Sequence, residues 1–309
     1  MSNSEQHISV AEAREAGDRK HAREALLKSS AARLSIVAAA FLIVIKGGAG
    51  WLTGSISVWA SLLDSSMDII ASTINFFAVR AAARPPDHDH AYGHGKAESL
   101  AGLFQSAVIT VSGLFLVWEA IKRLIEPRET SAEGLGVAAM LAAVLVSAGL
   151  VFRLRSIARR TDSPALAADA AHYASDIYSN GAALAALVVI AVTGWRIADP
   201  VFSLAISVYI LASAFSVARE SVDVLMDKRL PPDIDEIVHE IAARFRTRGV
   251  LGAHDLRTRR SGSLKFIDMH LEVDRSKTLE EAHDLAVAVI RTIESEIPRT
   301  RVQIHTDPT

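Results

Sequence analysis

Six runs of mostly apolar residues, each near the length of a bilayer crossing, constrain this chain more than any other feature. A helix needs about 20 such residues to cross the hydrocarbon core of a membrane. Ala31 to Leu52, Ile56 to Val79, Leu100 to Ile121, Leu135 to Phe152, Ala165 to Val192 and Val201 to Val217 each supply a run of that kind. The charged residues, 22% of the 309, are pushed into the first 30 positions and the stretch after Glu220. Gly47, Gly48 and Gly50 beside Trp51, the Pro85-Pro86 pair, Gly194-Trp195 and Pro200 punctuate the run ends, as interfacial turns do.

An even number of spans puts both termini on one side of the bilayer, and the short loops say which. Arg80, Arg84, Lys96, Arg153, Arg155, Arg159 and Arg160 fall on the terminal side, against Lys122, Arg123, Arg128 and Arg196 on the other. Lys and Arg accumulate in cytoplasmic loops, so both termini are expected in the cytoplasm. Residues 1–30 are polar and charge-balanced, without the apolar core and small-residue cleavage site of a signal peptide, and are expected to form a partly helical or disordered cytoplasmic tail. Residues 31–220 then form a six-helix transmembrane domain and residues 221–309 a cytoplasmic one.

The C-terminal part has the patterning of a small soluble unit. Pro231-Pro232-Asp233 predicts a helix capped by Asp233 with Glu236 three residues on, its apolar face made by Ile234, Ile237, Val238, Ile241 and Phe245. A strand is expected near Gly252 to Thr258. In the next strand Ile267, Met269, Leu271 and Val273 alternate with Asp268, His270 and Glu272. Thr278 and Glu281 predict a capping box ahead of a helix bearing Leu285, Ala286, Val289, Ile290 and Ile293, and Arg301 to His305 predicts a last strand. The order αββαβ implies a compact α+β domain of the ferredoxin-like type.

A net charge of -2 gives no basic excess for a nucleic-acid partner, which is set aside. With no cysteine in the chain, any metal site must use imidazole nitrogen and carboxylate oxygen. Candidates for such a site stand inside the apolar runs. Asp64 and Asp68 lie four residues apart in the second run, and His172 and Asp176 four apart in the fifth. Residues at i and i+4 share a helix face, about 5 to 6 Å apart at Cβ. Each carboxylate costs about 2.5 to 3.5 kcal/mol near the centre of a membrane helix, so a pair on one face calls for a cation between them. Two such faces turned together offer three carboxylates and one imidazole, a closed four-ligand set that suits tetrahedral Zn2+ and tolerates Fe2+, Co2+ or Cd2+.

This quartet, with the run from Asp89 through His90, Tyr92, His94, Lys96 and Glu98 to Ser99, resembles the cation diffusion facilitator family, and more narrowly its bacterial zinc and ferrous-iron efflux branch. The likeness extends from about Arg33 to Pro308. It implies a homodimeric divalent-metal/proton antiporter of the bacterial inner membrane that exports Zn2+ (with Fe2+, Cd2+ or Co2+ as alternative cargo), with protons as counter-ion. Manganese-type members carry a second DxxxD in the fifth span, so His172 argues against manganese. The resemblance also implies a second site at Asp87, His90 and His94, which a tight loop would bring to one ion. Structural zinc is implied in the C-terminal domain, where His254, His270, His283, His305 and Asp307 match a binuclear site at a subunit interface. Lys96 and Asp227 match a charge pair linking membrane and cytoplasmic parts. Alternation independently puts His270 on the face opposite Ile267 and Met269, and His305 and Asp307 on a common face.

Alternating access between the second and fifth spans would carry the metal outward while protons return to the quartet. His172 is the expected proton carrier, because imidazole titrates near about pH 6.5 and binds metal only when neutral. A membrane metal sensor or assembly scaffold that binds without transporting is the rival reading. An enzyme finds no support, since HExxH, GxSxG and a phosphate-binding glycine loop are all missing from the sequence.

Overall fold

The computed structural model describes residues 3–53, 56–126 and 134–309; the side chains of 3–21, 49, 50, 52, 53, 56–61, 63, 64, 135 and 136 lie outside the described set. The chain divides into two units, Met1–Ser221 and Val222–Thr309.

The first unit is a six-helix bundle: α1 (Asn3–Thr53), α2 (Ile56–Ala82), α3 (Lys96–Ile125), α4 (Gly134–Thr161), α5 (Pro164–Thr193) and α6 (Ala198–Leu225). Among the described residues five stretches, in α1, α3, α4, α5 and α6, are long and apolar enough to cross a membrane. The carboxylate-bearing α2 completes the set. Val37, Phe41, Val44, Val111, Phe115, Leu145, Phe152, Val188, Val208 and Phe215 are all exposed on this unit, as lipid-facing side chains are. In the N-terminal segment the helical alternative is found: α1 begins at Asn3 and runs without a break into the first apolar run. Residues 11–28 are rich in Ala, Glu, Lys, Arg and Leu, which have high helix propensity.

Small residues let these helices approach closely, the packing mode that dominates inside a bilayer. Ala31, Ala32, Ala165 and Ala170 surround Leu154, Ile157, Leu166 and Tyr173 in the main core. A Cβ placed on Gly113 would lie 2.9 Å from Leu211, so this glycine permits the contact of α3 with α6. The α4–α5 connection is a tight turn, in which Ser163 caps α5 by accepting from the Leu166 amide and Pro164 occupies the first helical turn.

The second unit comprises α7 (Pro232–Arg244), a short 3-10 turn, β1 (Val250–Ser261), β2 (Leu264–Val273), α8 (Leu279–Glu296) and β3 (Thr300–Pro308). The sheet has the order β1-β2-β3, with β1 antiparallel and β3 parallel to β2. Ile267, Met269, Leu271 and Val273 are buried against Val238 and Ile241 of α7 and Leu285, Val289 and Ile293 of α8, so both helices cover one face. The opposite face carries His270.

The α8 capping box forms as expected, with Thr278 Oγ1 accepting from the Glu281 amide and the Glu281 carboxylate accepting from the Thr278 amide. Thr278→Ala should destabilise this unit by about 1 kcal/mol, read as faster amide exchange through α8. Unchanged protection would mean that the cap is redundant. The Asp233 cap does not form. The N-cap is Pro231 without a side-chain bond, because Pro232, with its preset φ and no N–H to satisfy, starts the helix early and leaves Asp233 inside the first turn. There its charge favours the positive end of the helix dipole instead.

Candidate metal centres

The i, i+4 spacing places Asp68 on α2 and His172 and Asp176 on α5 around one point, each offering a ligand atom within 4.8 Å of the others. His172 Nε2 lies 2.9 Å from Asp68 Oδ1. Both side chains are sealed, with Asp68 5% and His172 2% exposed. His172 Nδ1 has no hydrogen-bond partner among the described residues. The Asp64 side chain lies outside the described residues; its backbone stands one turn before Asp68 in α2. An imidazole and two carboxylates this close, two of the three buried, form an attractive seat for a divalent cation and an expensive one to leave without cations or protons.

Three further polar contacts in this unit escaped the sequence reading. Asp169, one turn before His172, is wholly buried and accepts from Ser35 Oγ at 2.6 Å. Lys46, deep in α1, donates to Ser65 Oγ at 2.7 Å, beside the two aspartates of α2. Lys28 of α1 pairs with Glu98 of α3 at 2.8 Å, both buried, while Ser163 at the start of α5 donates to the other Glu98 oxygen. The signal for Asp169 was available, since an acid three residues before His172 shares its helix face.

The loop between α2 and α3 gathers Asp87, His90 and His94 within the same 4.8 Å span. Asp87 Oδ1 accepts from the His90 amide at 2.7 Å, and His94 Nε2 stands 3.3 Å from Asp87 Oδ2. Gly93, at φ 81°, makes the reversal that returns His94 toward Asp87. The His90 backbone N–H, followed by the two imidazoles, holds the Asp87 carboxyl below its usual range and so keeps it in its metal-binding form. His88 and Asp89 are outside this group; both are exposed. Lys96 opens α3 in the first unit. Asp227 belongs to the second unit, at φ 54° and 3.6 Å from Arg259 Nη1.

In the second unit His254, His270 and His305 are paired in register, one on each strand, and make a row across the exposed face of the sheet. Asp307 reaches back over that row: its Oδ2 is 2.9 Å from His270 Nδ1 and 3.4 Å from His254 Nε2, and its Oδ1 is 3.3 Å from His305 Nε2. His254, His270 and Asp307 again fall within 4.8 Å. The hydrogen bond from His270 comes first among the influences that hold the Asp307 carboxyl low. A bulge after His254, with Asp255 at φ 48°, brings the Asp255 carboxylate within 3.9 Å of His270, and Glu272 is 3.2 Å from His254. His283 does not join them. It is exposed on α8, which covers the other face of the sheet.

A helical unit with a carboxylate–imidazole cluster between membrane helices, and an α+β unit with a second cluster on its open face, are features suited to a membrane protein that handles cations. Residues 32–226 match the cation efflux transmembrane domain, and residues 230–309 match the cytoplasmic domain of cation efflux proteins. The chain is 43% identical over 282 residues to the cation-efflux pump FieF of Escherichia fergusonii, covering 91% of this chain and 93% of that one. For FieF of Yersinia enterocolitica the identity is 43% over 285 residues, covering 92% and 94%. Among solved structures, the zinc form of CzrB is 36% identical, covers 26% of this chain and 92% of its own, and gives a TM-score of 0.25. The protein belongs to the cation diffusion facilitator family and is a multi-pass membrane transporter for cation efflux.

Proposed function

We propose that this transporter exports Zn2+ in exchange for protons, binding the metal at Asp64, Asp68, His172 and Asp176. The observation that carries the reading is the convergence of the buried Asp68 and His172 with the half-buried Asp176 from two membrane helices. His172 and Asp68 stand 2.9 Å apart, and a metal ion binding at these ligand atoms requires neutral imidazole and ionised carboxylate, so it displaces protons from them. Asp64, one turn from Asp68, completes a set of three oxygens and one nitrogen, which accepts Zn2+ and also Fe2+, Cd2+ or Co2+. Rocking of α2 and α5 against their neighbours exposes the site first to one side and then to the other.

The bilayer is the bacterial inner membrane, with both termini in the cytoplasm, as the basic loops favour. The protein works as a homodimer. Asp87, His90 and His94 form a second metal site, and His254, His270, His305 and Asp307 hold structural zinc on the open face of the sheet. His283, carried on the other layer of its own domain, reaches such a site only from a second copy of the chain.

The test is a metal panel in proteoliposomes. Wild-type flux should rank Zn2+ above Mn2+, with measurable Fe2+ and Cd2+. His172→Asp replaces the one nitrogen ligand by oxygen, and should retain binding while shifting preference toward Mn2+ by about tenfold or more. An unchanged ranking would remove His172 from the ligand set.

A further inference from the structure

We propose that Asp169 carries one of the protons exchanged by the transporter, as a second proton station one helical turn from the metal centre; this rests on the antiport reading above. Asp169 is 0% exposed and lies three positions before His172 in the helix, so the two side chains share a face with Cβ atoms about 5 to 6 Å apart. Only one of its oxygens is engaged: Oδ2 accepts from Ser35 Oγ, while Oδ1 has no hydrogen-bond partner among the described residues.

The pocket around it is made of neutral groups able to reverse or relax their hydrogen bonds. Ser35 contributes its hydroxyl from α1, and its carbonyl accepts from Tyr173 Oη at 3.2 Å. Tyr173 Oη also lies 2.8 Å from Ser72 Oγ of α2. Asn75 of α2, 4% exposed, has an amide nitrogen that is itself unpartnered among the described residues. The titratable groups acting on Asp169 are His172 and Tyr173 on its own helix and Asp68 on α2. Of these, His172 and Asp68 hold the cation. A carboxylate buried at membrane depth, with Ser35 donating to it and the Asn75 amide beside it, is poorly compensated, and a protonated carboxyl there is not.

Charge at the metal centre therefore sets the state of Asp169. With the centre free of metal the proton stays on the carboxyl. A divalent cation arriving one turn away favours the anion by its field, and the proton departs to water. When the metal leaves, a proton returns to the same oxygen. Each cycle thus moves one proton through Asp169 without Asp169 touching the metal, in addition to those displaced directly from the ligands.

The test is proton release on adding Zn2+ to the purified full-length protein in weakly buffered detergent solution, with zinc bound measured in the same titration. Asp169→Asn should still bind zinc but release about one proton fewer per zinc than wild type. Ser35→Ala, which removes the donor to the anion, should keep the release and move its midpoint to higher pH. Wild-type proton counts in Asp169→Asn, or an unmoved midpoint in Ser35→Ala, would overturn the proposal. Loss of zinc binding in a folded Asp169→Asn protein would make the residue part of the binding site and overturn it as well. Wild-type protein that binds zinc and releases no proton would instead bring down the antiport reading on which the proposal stands.

Discussion

Asp68→Ala should abolish cation flux. Among the described residues Asp68 is the α2 carboxylate that stands against His172, at 2.9 Å, and it ties α2 to α5. Its removal leaves His172 and Asp176 on one helix with no facing carboxylate from that position. Losing an outer-shell partner of a metal site already costs about 10- to 100-fold in affinity, and losing a ligand costs no less. Flux in proteoliposomes should therefore fall by at least about 100-fold, while the circular dichroism of the purified protein stays helical. Retained flux would show that the cation does not pass through this centre.

Lys28→Met should unfold or severely weaken the bundle. Glu98 is 2% exposed and has only two groups drawn to it in the described structure, the Lys28 ammonium and the Ser163 hydroxyl. Stranding one member of a buried ion pair costs about 3 to 5 kcal/mol, much of it the desolvation of the charge left behind. The double variant Lys28→Met, Glu98→Gln removes both charges and should recover most of that loss. Thermal unfolding of the three proteins in detergent separates the cases. Equal melting temperatures for Lys28→Met and wild type would mean that water reaches Glu98 and that the pair is not a structural tie between α1, α3 and the start of α5.

The pattern of the first three helices and of the metal centre shows how far a sequence alone can be taken. The convergence of Asp68, His172 and Asp176 was legible because an ionisable residue in an apolar run is costly, and because i, i+4 spacing fixes a shared face without any knowledge of the fold. The cytoplasmic sheet was legible for a related reason: period-2 alternation in residues 266–273 leaves only one way to bury Ile267, Met269 and Leu271. Glu98 stood in a motif that drew attention, yet its meaning depends on Lys28, 70 residues away, and no local rule pairs them. Asp169 was hidden for the opposite reason, since its neighbour His172 absorbed the argument about that face. Asp233 was misread as a cap because a proline pair offers a competing helix start. His283 stands on the other layer of its own unit, which no local rule in the sequence reveals, because a match of residue types carries no information about which face of the sheet α8 covers.

The most direct test of the account is zinc accumulation in proteoliposomes under an imposed proton gradient. The account predicts zinc uptake that follows the gradient in size and sign and disappears when the gradient is collapsed by a protonophore. Saturable zinc binding with no gradient-dependent flux would contradict it, and would make the protein a membrane metal sensor or scaffold built on a transporter fold.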